Sequence, residues 1–255
     1  MVGVKFMHLM EYIQDKIEVI RTTNEKSIFL VGPVKLPIDI DGETINFQWY
    51  SWLVNKNLPN DKEKLLAILP ILNLAELQQS SVLIYGDFSE APDTLVRFHS
   101  ICHTGDIFGS QKCDCRQQLK QSLRNIVKNG SGALFYLANH EGRSIGLFNK
   151  AMTYLIQELG YDTVQANKLL GFQDDSRDYT GAINVLKKLR SKPISIMTNN
   201  PQKVLELKRN GIKVKKHVPL WGKVSLHNKY YIETKVKKAH HYKNGLPLEI
   251  IQKIK

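Results

Sequence analysis

The chain has 255 residues, of which 42% are hydrophobic, which is enough for a substantial buried core. Its formal net charge at pH 7 is +12, and residues 201–255 alone carry fourteen Lys or Arg against three Asp or Glu. No stretch approaches the ~20 apolar residues of a membrane-spanning helix, and no basic region followed by an apolar run marks a secretory signal. These features exclude a membrane-spanning protein, and we expect a cytoplasmic one.

The N-terminal region predicts a helix followed by a β-hairpin. Apolar and charged residues are spaced from Phe6 to Ile20 as in an amphipathic helix. Strand-like alternation from Ile38 to Leu53 surrounds Asp41 and Gly42, a pair typical of a two-residue hairpin turn. We therefore expect an antiparallel pair of strands here.

The remainder of the chain alternates strands and helices. Asp114, with Gln117 three residues later, favours a capping box at the start of a helix, and Thr163 favours the cap of a shorter one. Strands are predicted at 81–86, 94–100, 133–137, 194–197 and 212–217, and helices at 114–129, 147–158, 163–170, 179–189 and 201–210. This alternation predicts an α/β fold with a mixed, largely parallel sheet flanked by helices.

All three cysteines lie within one stretch of fourteen residues, at Cys102, Cys113 and Cys115; we call them the cysteine cluster. Three thiolates are too many for one disulfide and one too few for a closed structural zinc site. They fit a catalytic zinc, whose fourth tetrahedral position is left to water. The alternative is three unrelated buried thiols, because free Cys is among the most buried residue types. The absence of cysteine elsewhere in the chain favours a cluster.

Short motifs follow one another in a specific order between residues 36 and 235. They are His99-Ser100, Cys102, Thr104-Gly105-Asp106, Phe108-Gly109-Ser110, Cys113-Asp114-Cys115, Glu141-Gly142-Arg143, Asn149-Lys150, Gly160-Tyr161-Asp162-Thr163, Arg177-Asp178 and Thr198-Asn199-Asn200-Pro201. In this order the chain resembles the GTP cyclohydrolase II family. The resemblance divides the chain into an N-terminal extension (1–35), a GTP cyclohydrolase II-like catalytic domain (36–235) and a basic C-terminal tail (236–255).

The resemblance implies a zinc-dependent hydrolase of riboflavin biosynthesis. Such an enzyme opens the guanine imidazole ring of GTP, releases formate and pyrophosphate, and gives 2,5-diamino-6-(5-phosphoribosylamino)pyrimidin-4(3H)-one. It implies one Zn²⁺ per chain, bound by the cysteine cluster, and Mg²⁺ with the triphosphate. It also implies a homodimer, and a single activity because the chain has no room for a dihydroxybutanone phosphate synthase domain.

Three residues match catalytic positions of the family. Tyr154 matches a tyrosine that positions the water or the reacting base, although alone it would be a packing residue of an amphipathic helix. Asp175 matches the general base, and Arg177 matches a nucleophile toward the α-phosphate. A guanidinium stays charged at any ordinary pH, so electrostatic stabilisation is the simpler role for Arg177.

Ten further residues match substrate-binding positions of the family. Gln118 matches a guanine contact, and arginine and lysine side chains match triphosphate contacts, for which bidentate Arg and point-charge Lys are suited. No P-loop motif is present, and the carboxylate of Glu141 beside phosphates suggests Mg²⁺. The ten residues are Arg97, His99, Ser100, Gln118, Glu141, Gly142, Arg143, Thr163, Thr198 and Lys203.

The sequence departs from the family pattern around the expected pocket. Ile101 stands where the family commonly has Glu, Arg116 replaces a usual Gly, Gln165 replaces a usual Glu, and Leu137–His140 replaces an Arg-Gln pair. The imidazoles of His103 and His140 are expected to be pocket or surface groups and not ligands. A second hypothesis is therefore a diverged paralogue that uses the same zinc chemistry on GTP or a related nucleotide. It would give a formamidopyrimidine or feed another pathway.

A third hypothesis is a zinc-stabilised protein that binds nucleic acid through its basic C-terminal segment. The segment is rich in Lys and not in Arg, and no zinc-finger or RRM-type motif accompanies it. A solvated surface explains these lysines better, so we do not expect a nucleic-acid partner.

Overall fold

The structure, a computed structural model, describes residues 2–22, 27–55, 59 and 61–253. In this part of the chain, helices surround a single mixed sheet. The strands are β1 (Ile17–Arg21), β2 (Ser27–Ile40), β3 (Glu43–Asn55), β4 (Ser80–Tyr85), β5 (Leu95–Ser100), β6 (Gly132–Leu137), β7 (Ile194–Met197) and β8 (Val214–Val218). The α-helices are α1 (Val2–Asp15), α2 (Lys62–Ile68), α3 (Cys115–Asn129), α4 (Leu147–Glu158), α5 (Thr163–Leu169), α6 (Thr180–Leu189), α7 (Pro201–Arg209), α8 (Lys229–Lys237) and α9 (Leu248–Lys253). No helix within the described ranges has the length and apolar content to cross a membrane.

The strand order of the described sheet is β1-β2-β3-β4-β6-β5-β7-β8. Pairing is antiparallel from β1 to β4 and between β4 and β6. It is parallel between β6 and β5, between β5 and β7, and between β7 and β8. An antiparallel half at the N-terminal end of the chain therefore continues into a parallel half. The predicted α/β fold with a mixed sheet flanked by helices is confirmed.

β2 and β3 form the predicted hairpin, which turns at Asp41 and Gly42. Their φ angles are 57° and 90°, the two positive values that a type I′ turn needs. The helix predicted over Phe6–Ile20 is present only in its first part, as α1. The second part is β1, in which Ile17 pairs with Val31 of β2. The prediction was wrong there because β-branched residues gain more from a half-buried sheet than from a helix.

Aromatic side chains hold the centre of the parallel half. Phe98 of β5 and Phe135 of β6 are fully buried, with ring centroids 4.8 Å apart. Burial of such a side chain contributes roughly 2–3 kcal/mol. The packing keeps β5, β6 and β7 side by side with their carboxyl ends on one edge, where open α/β sheets bind ligands.

Two helix starts differ from the prediction. Asp162, and not Thr163, caps α5: its carboxylate accepts two backbone amides, and Gln165 completes a capping box. Asp114 precedes α3 but makes no side-chain cap. Its carboxylate accepts from Lys235, 3.0 Å away, and a charge-assisted bond of this kind is stronger than a neutral cap.

Candidate active site

A cavity of about 340 Å³ opens at the carboxyl edge of β5, β6 and β7. Its wall includes all sixteen residues that the sequence singled out. They lie in β5 and in the loops and helices that follow these three strands, so the parallel register brings separate motifs together. The structure thus places them in one site, while the role of each residue stays a prediction.

The cysteine cluster forms one end of the cavity. The three Sγ atoms lie within 4.8 Å of one another, and those of Cys102 and Cys113 are 3.6 Å apart. Among the described residues, no other Cys, His, Asp or Glu joins the group. Gly105 lies directly beneath the sulfurs, since an added Cβ would be 2.9 Å from Cys113 Sγ and 3.0 Å from Cys102 Sγ. The backbone therefore forms a close cradle for three thiols that face the cavity.

The three thiols titrate unequally. Hydrogen bonds from Cys113 and Cys115 lower the pKa of Cys102, which therefore loses its proton first. The hydrogen bond with Cys102 raises the pKa of Cys113 to about 12, and bonds with both partners raise the pKa of Cys115 well above its ordinary value. Three sulfurs this close cannot all ionise without a cation between them. Soft thiolates in a group of three fit Zn²⁺ with one open position.

Lys150 of α4 is a buried cation beside the cluster. Its Nζ lies 3.2 Å from Cys102 Sγ and 2.7 Å from Glu141 Oε1. Burial lowers the pKa of Lys150, but the charge of Cys102 and the bond to Glu141 outweigh it and the pKa is raised. Glu141 also accepts from the backbone amides of Gly142 (3.1 Å) and His103 (2.6 Å). Both carboxylate oxygens of Glu141 thus accept protein donors and tie the two loops to the ammonium.

Tyr154 lies one helical turn after Lys150, on the same face of α4. Its hydroxyl is 3.3 Å from Thr104 Oγ1, which lies 3.7 Å from Cys102 Sγ. The Lys112 ammonium lies 4.6 Å from the ring centroid. Burial raises the pKa of Tyr154, so the hydroxyl carries its proton at neutral pH. The sequence predictions gave Lys150 no role, although its spacing of four from Tyr154 was a signal.

Asp106 anchors the loop that carries the cluster. Its Oδ2 accepts from His99 Nε2, from Tyr136 Oη and from the backbone amide of Cys102, each at 3.0 Å. Burial lowers the pKa of His99, whose side chain is 2% exposed. His99 therefore lines the cavity and also fixes the first residue of the cysteine cluster through Asp106.

A buried chain of hydrogen bonds lies behind the cluster. Arg97 donates to the Met197 carbonyl (2.9 Å) and to Gln118 Oε1 (2.6 Å). Gln118 Nε2 donates to Asp114 (2.6 Å), which also accepts from Lys235 (3.0 Å). Burial lowers the pKa of Arg97. Arg97 and Gln118 line the cavity, but these polar atoms already have protein partners.

Cationic side chains also line the cavity. Arg177 forms a two-bond pair with Asp175, with Nε 2.7 Å from Oδ1, and also donates to Ser100 Oγ at 3.3 Å. Burial favours the neutral form of Asp175, but the bonds from Arg177 prevail and lower its pKa. Lys203 donates to the Phe98 carbonyl at 2.6 Å, and burial lowers its pKa well below the ordinary value.

Three further predicted residues line the cavity. Arg143, at φ 65°, donates to the Asp174 carbonyl at 3.0 Å. Thr198 follows β7 and accepts from the Asn200 amide at 3.0 Å, and Asn200 caps α7. Thr163 is the first residue of α5.

Two of the departures from the family pattern line the cavity, namely Ile101 and His140. His140 Nε2 donates to the Asp178 carbonyl (3.0 Å), so its Nδ1 accepts from Ser100 Oγ (3.3 Å). Burial lowers the pKa of His140 to about 4, and the ring is neutral at pH 7. Neither His103 nor His140 belongs to the cysteine cluster.

The C-terminal region supplies cavity residues that the sequence predictions missed. They include Tyr231 and Lys235 of α8, and Lys238 and His241 just after it. A spacing of four and then three residues from Tyr231 to Lys238 places these side chains on one helical face. That spacing is the signal by which they could have been found.

Comparison with known proteins points to one family. The family model described as GTP cyclohydrolase II matches residues 72–219. The riboflavin biosynthesis protein RibBA of Aquifex aeolicus is 43% identical over 164 residues, which are 64% of this chain and 40% of the relative. RibBA of Bacillus subtilis is 43% identical over 171 residues, or 66% and 42% of the two chains. The bifunctional riboflavin biosynthesis protein RIBA 1, chloroplastic, of Arabidopsis thaliana is 42% identical over 173 residues, or 68% and 32%.

The chain therefore spans less than half the length of these curated relatives. The family model nevertheless covers more than half of this chain, and the matched region holds the cysteine cluster, Tyr154 and Arg177. The chain belongs to the GTP cyclohydrolase II family of hydrolytic enzymes.

Proposed function

We propose that the protein opens the guanine imidazole ring of GTP and releases formate and pyrophosphate. The product is 2,5-diamino-6-(5-phosphoribosylamino)pyrimidin-4(3H)-one, which feeds riboflavin biosynthesis. The observation that carries this proposal is that three clustered thiols and Tyr154 line the same cavity as the cationic side chains Arg177 and Lys203. A purine nucleoside triphosphate combines a base with anionic phosphates, which these two sets of side chains suit.

The cysteine cluster would hold one Zn²⁺, and its residues fit that ion. Three thiols point at one another, the backbone beneath them lacks a side chain at Gly105, and the fourth side faces the cavity. Zinc supplies, when bound, a Lewis acid that makes water nucleophilic near neutral pH. Three thiolates with one dication leave negative charge, which the buried ammonium of Lys150 offsets from 3.2 Å.

At the base end, Tyr154 holds a proton on its hydroxyl, and Thr104 fixes the direction of that hydroxyl. We assign Tyr154 to orient the attacking water or the ring nitrogen that becomes an amine. His99 and Asp106 keep the cluster loop in place during this step.

At the phosphate end, Arg177 is charged and held by Asp175. We assign Arg177 to electrostatic stabilisation of the phosphoryl group from which pyrophosphate leaves, because a guanidinium paired with a carboxylate is a poor nucleophile. Arg143 and Lys203 add positive charge for the triphosphate, and Mg²⁺ enters as its complex with the phosphates.

A second candidate is ring opening that stops at a formamidopyrimidine. It is favoured by the lining of the cavity, where Ile101 offers no carboxylate and neutral His140 accepts a hydrogen bond from the Ser100 hydroxyl. Loss of a carboxylate beside Cys102 removes a group that could assist release of formate. The same site would then perform only the first hydrolysis.

The test is incubation of the zinc-loaded protein with GTP and Mg²⁺, with formate and pyrophosphate quantified separately and the nucleotide product identified by mass spectrometry. We expect equal amounts of formate and pyrophosphate. Cys113→Ser should abolish formate release and zinc binding together. A ring-opened product that retains the formyl group would favour the second candidate, and unchanged GTP would overturn both.

We further propose a homodimer in the cytoplasm. Phe148, Leu155 and Leu159 lie along one face of α4 and are 79%, 65% and 78% exposed, and Phe108 of the cluster loop is 71% exposed. A second copy that covers this apolar surface would bring two sites close together. The three free thiols favour a reducing compartment. Leu155→Glu should convert the dimer to a monomer in multi-angle light scattering, and a monomeric wild-type protein would contradict the proposal.

A further inference from the structure

Residues beyond the family match form a folded part of the cavity. The match ends at residue 219, and α8 and α9 follow it. Their apolar side chains form a small core of their own, whose buried members are Trp221, Ile232, Val236, Leu246 and Ile250. This core fixes one face of α8 through Ile232 and Val236, and the neighbouring residues Tyr231 and Lys235 line the cavity.

Three hydrogen-bonded contacts hold this segment against the rest of the site. Lys235 donates to Asp114 at 3.0 Å, at the start of α3. The Tyr242 amide donates to the Asn199 carbonyl at 2.8 Å, next to the end of β7. Lys238 forms an ion pair with Asp162, the cap of α5. Lys235 and Lys238 thus bind acidic groups of the same chain and are not part of a free basic surface for nucleic acid.

Tyr231 lies on the face of α8 that lines the cavity, near the cysteine cluster. Burial raises the pKa of its phenol well above the ordinary value. The Lys235 ammonium lies 4.3 Å from the ring centroid and holds the ring in place. Tyr231 therefore presents an aromatic ring of fixed orientation to the cavity.

His241 lines the cavity. Its Nδ1 is shielded from solvent and has no hydrogen-bond partner among the described residues. Burial lowers the pKa of His241 to about 2, and the charges of Lys235, Arg177 and Arg143 add to the effect. A neutral imidazole among cations is a hydrogen-bond donor at a place that favours an anion.

We propose that α8 and the turn after it are a substrate-binding wall, in which Tyr231 contacts the nucleoside and His241 contacts the phosphates of a purine nucleoside triphosphate. This proposal takes the class of its ligand, a purine nucleoside triphosphate, from the proposed function. The residues of the wall lie outside the family match, so the wall adds contacts to those that the family motifs imply.

The test is calorimetric titration of the zinc-loaded full chain with two fragments of the substrate, guanosine and inorganic tripolyphosphate. Tyr231→Ala should weaken guanosine binding on the order of tenfold and leave tripolyphosphate binding unchanged. His241→Ala should weaken tripolyphosphate binding on the order of tenfold and leave guanosine binding unchanged. The matched controls are Tyr230→Ala and His227→Ala, whose side chains are exposed and outside the cavity; both should bind like the wild type.

Conservative variants keep the test decisive. Tyr231→Phe and His241→Asn preserve most of the side-chain volume, so they test the proposal even if an alanine variant does not fold. A smaller loss of guanosine affinity in the first variant and of tripolyphosphate affinity in the second would support the substrate-binding wall. Unchanged affinities, or equal loss of both fragments in one variant, would overturn it. Wild-type protein that binds neither fragment would also overturn it, whereas binding of both fragments without formate release from GTP would overturn only the proposed function.

Discussion

At the scale of single residues, the position beneath the cysteine cluster leaves no room for a side chain. Gly105 has an ordinary backbone conformation, because its φ is not among the positive values in the chain. The reason for glycine there is space: a Cβ would be 2.9 Å and 3.0 Å from two sulfur atoms. Close packing of this kind leaves no free volume, so even one added methyl group must displace the sulfur atoms.

Gly105→Ala should therefore lower zinc affinity by roughly tenfold or more, because overpacking of ~1–3 kcal/mol falls on the ligands themselves. Zinc retention against a competing chelator measures the effect. Gly181→Ala is the matched control, since its new Cβ would meet only ordinary contacts of 3.7 Å. Equal zinc affinity in both variants would contradict the conclusion that the sulfur atoms need the space left by Gly105.

Tyr154→Phe removes a hydroxyl that lies 3.3 Å from Thr104 Oγ1 and leaves the ring in place. Formate release should slow by roughly 10²-fold, the usual contribution of a positioned proton donor, and pyrophosphate release should slow less. Parallel rate measurements of the two products check this. Tyr161→Phe, a half-exposed tyrosine outside the cavity, should have no effect on either rate.

At the scale of elements, the site depends on helix starts and on how distant segments are joined to them. Asp162 caps α5 and also pairs with Lys238 after α8. β2 runs continuously across residue 35 and α8 across residue 235, the two boundaries predicted for the catalytic domain. That division into three parts stays a prediction.

Asp162→Ala should lower the free energy of unfolding by about 1–2 kcal/mol, because α5 loses its cap. Asp162→Asn keeps a capping oxygen and should cost less, while it removes the ion pair with Lys238. Urea unfolding measures both variants. Asp61→Asn, at the exposed cap of α2, is the control and should change the free energy of unfolding little. If Asp61→Asn lowered it as much as Asp162→Ala, the side-chain amide itself would disturb a cap.

At the scale of the whole molecule, stability depends on keeping buried imidazoles neutral. The pKa of His140 is about 4 in the folded protein, below the 6.5 of an unperturbed histidine. Between these values the unfolded chain binds a proton that the folded chain does not, so the free energy of unfolding decreases as the pH falls from 6.5 to 4.

This decrease should reach at most about 3 kcal/mol for His140, at 1.36 kcal/mol for each pKa unit. His140→Asn removes the titrating group and should flatten the pH dependence of stability between pH 6.5 and 4. Urea unfolding of both proteins across this range measures it, and the comparison cancels any contribution of the metal. His8→Asn, at an exposed position, should keep the wild-type slope.

Local sequence patterns were enough to predict much of the secondary structure of this protein. The turn at Asp41 and Gly42, the strand at Ile194–Met197 and the cap at Asn200 follow from propensities that act within a few residues. The confinement of all three cysteines to one stretch predicted their clustering, because few residues separate them. The order of short motifs was sufficient to indicate the family.

The tertiary structure decided which groups meet across long separations. The sequence predicted Asp114 as a helix cap, but its carboxylate instead accepts a hydrogen bond from Lys235, 121 residues later. Lys150 received no role until packing placed it beside Cys102, and the C-terminal wall became visible only when α8 lay against the cavity. Periodicity reports which face a residue occupies on its own element. It does not report which element will cover that face, because strand order and helix packing settle that through the burial of the whole core.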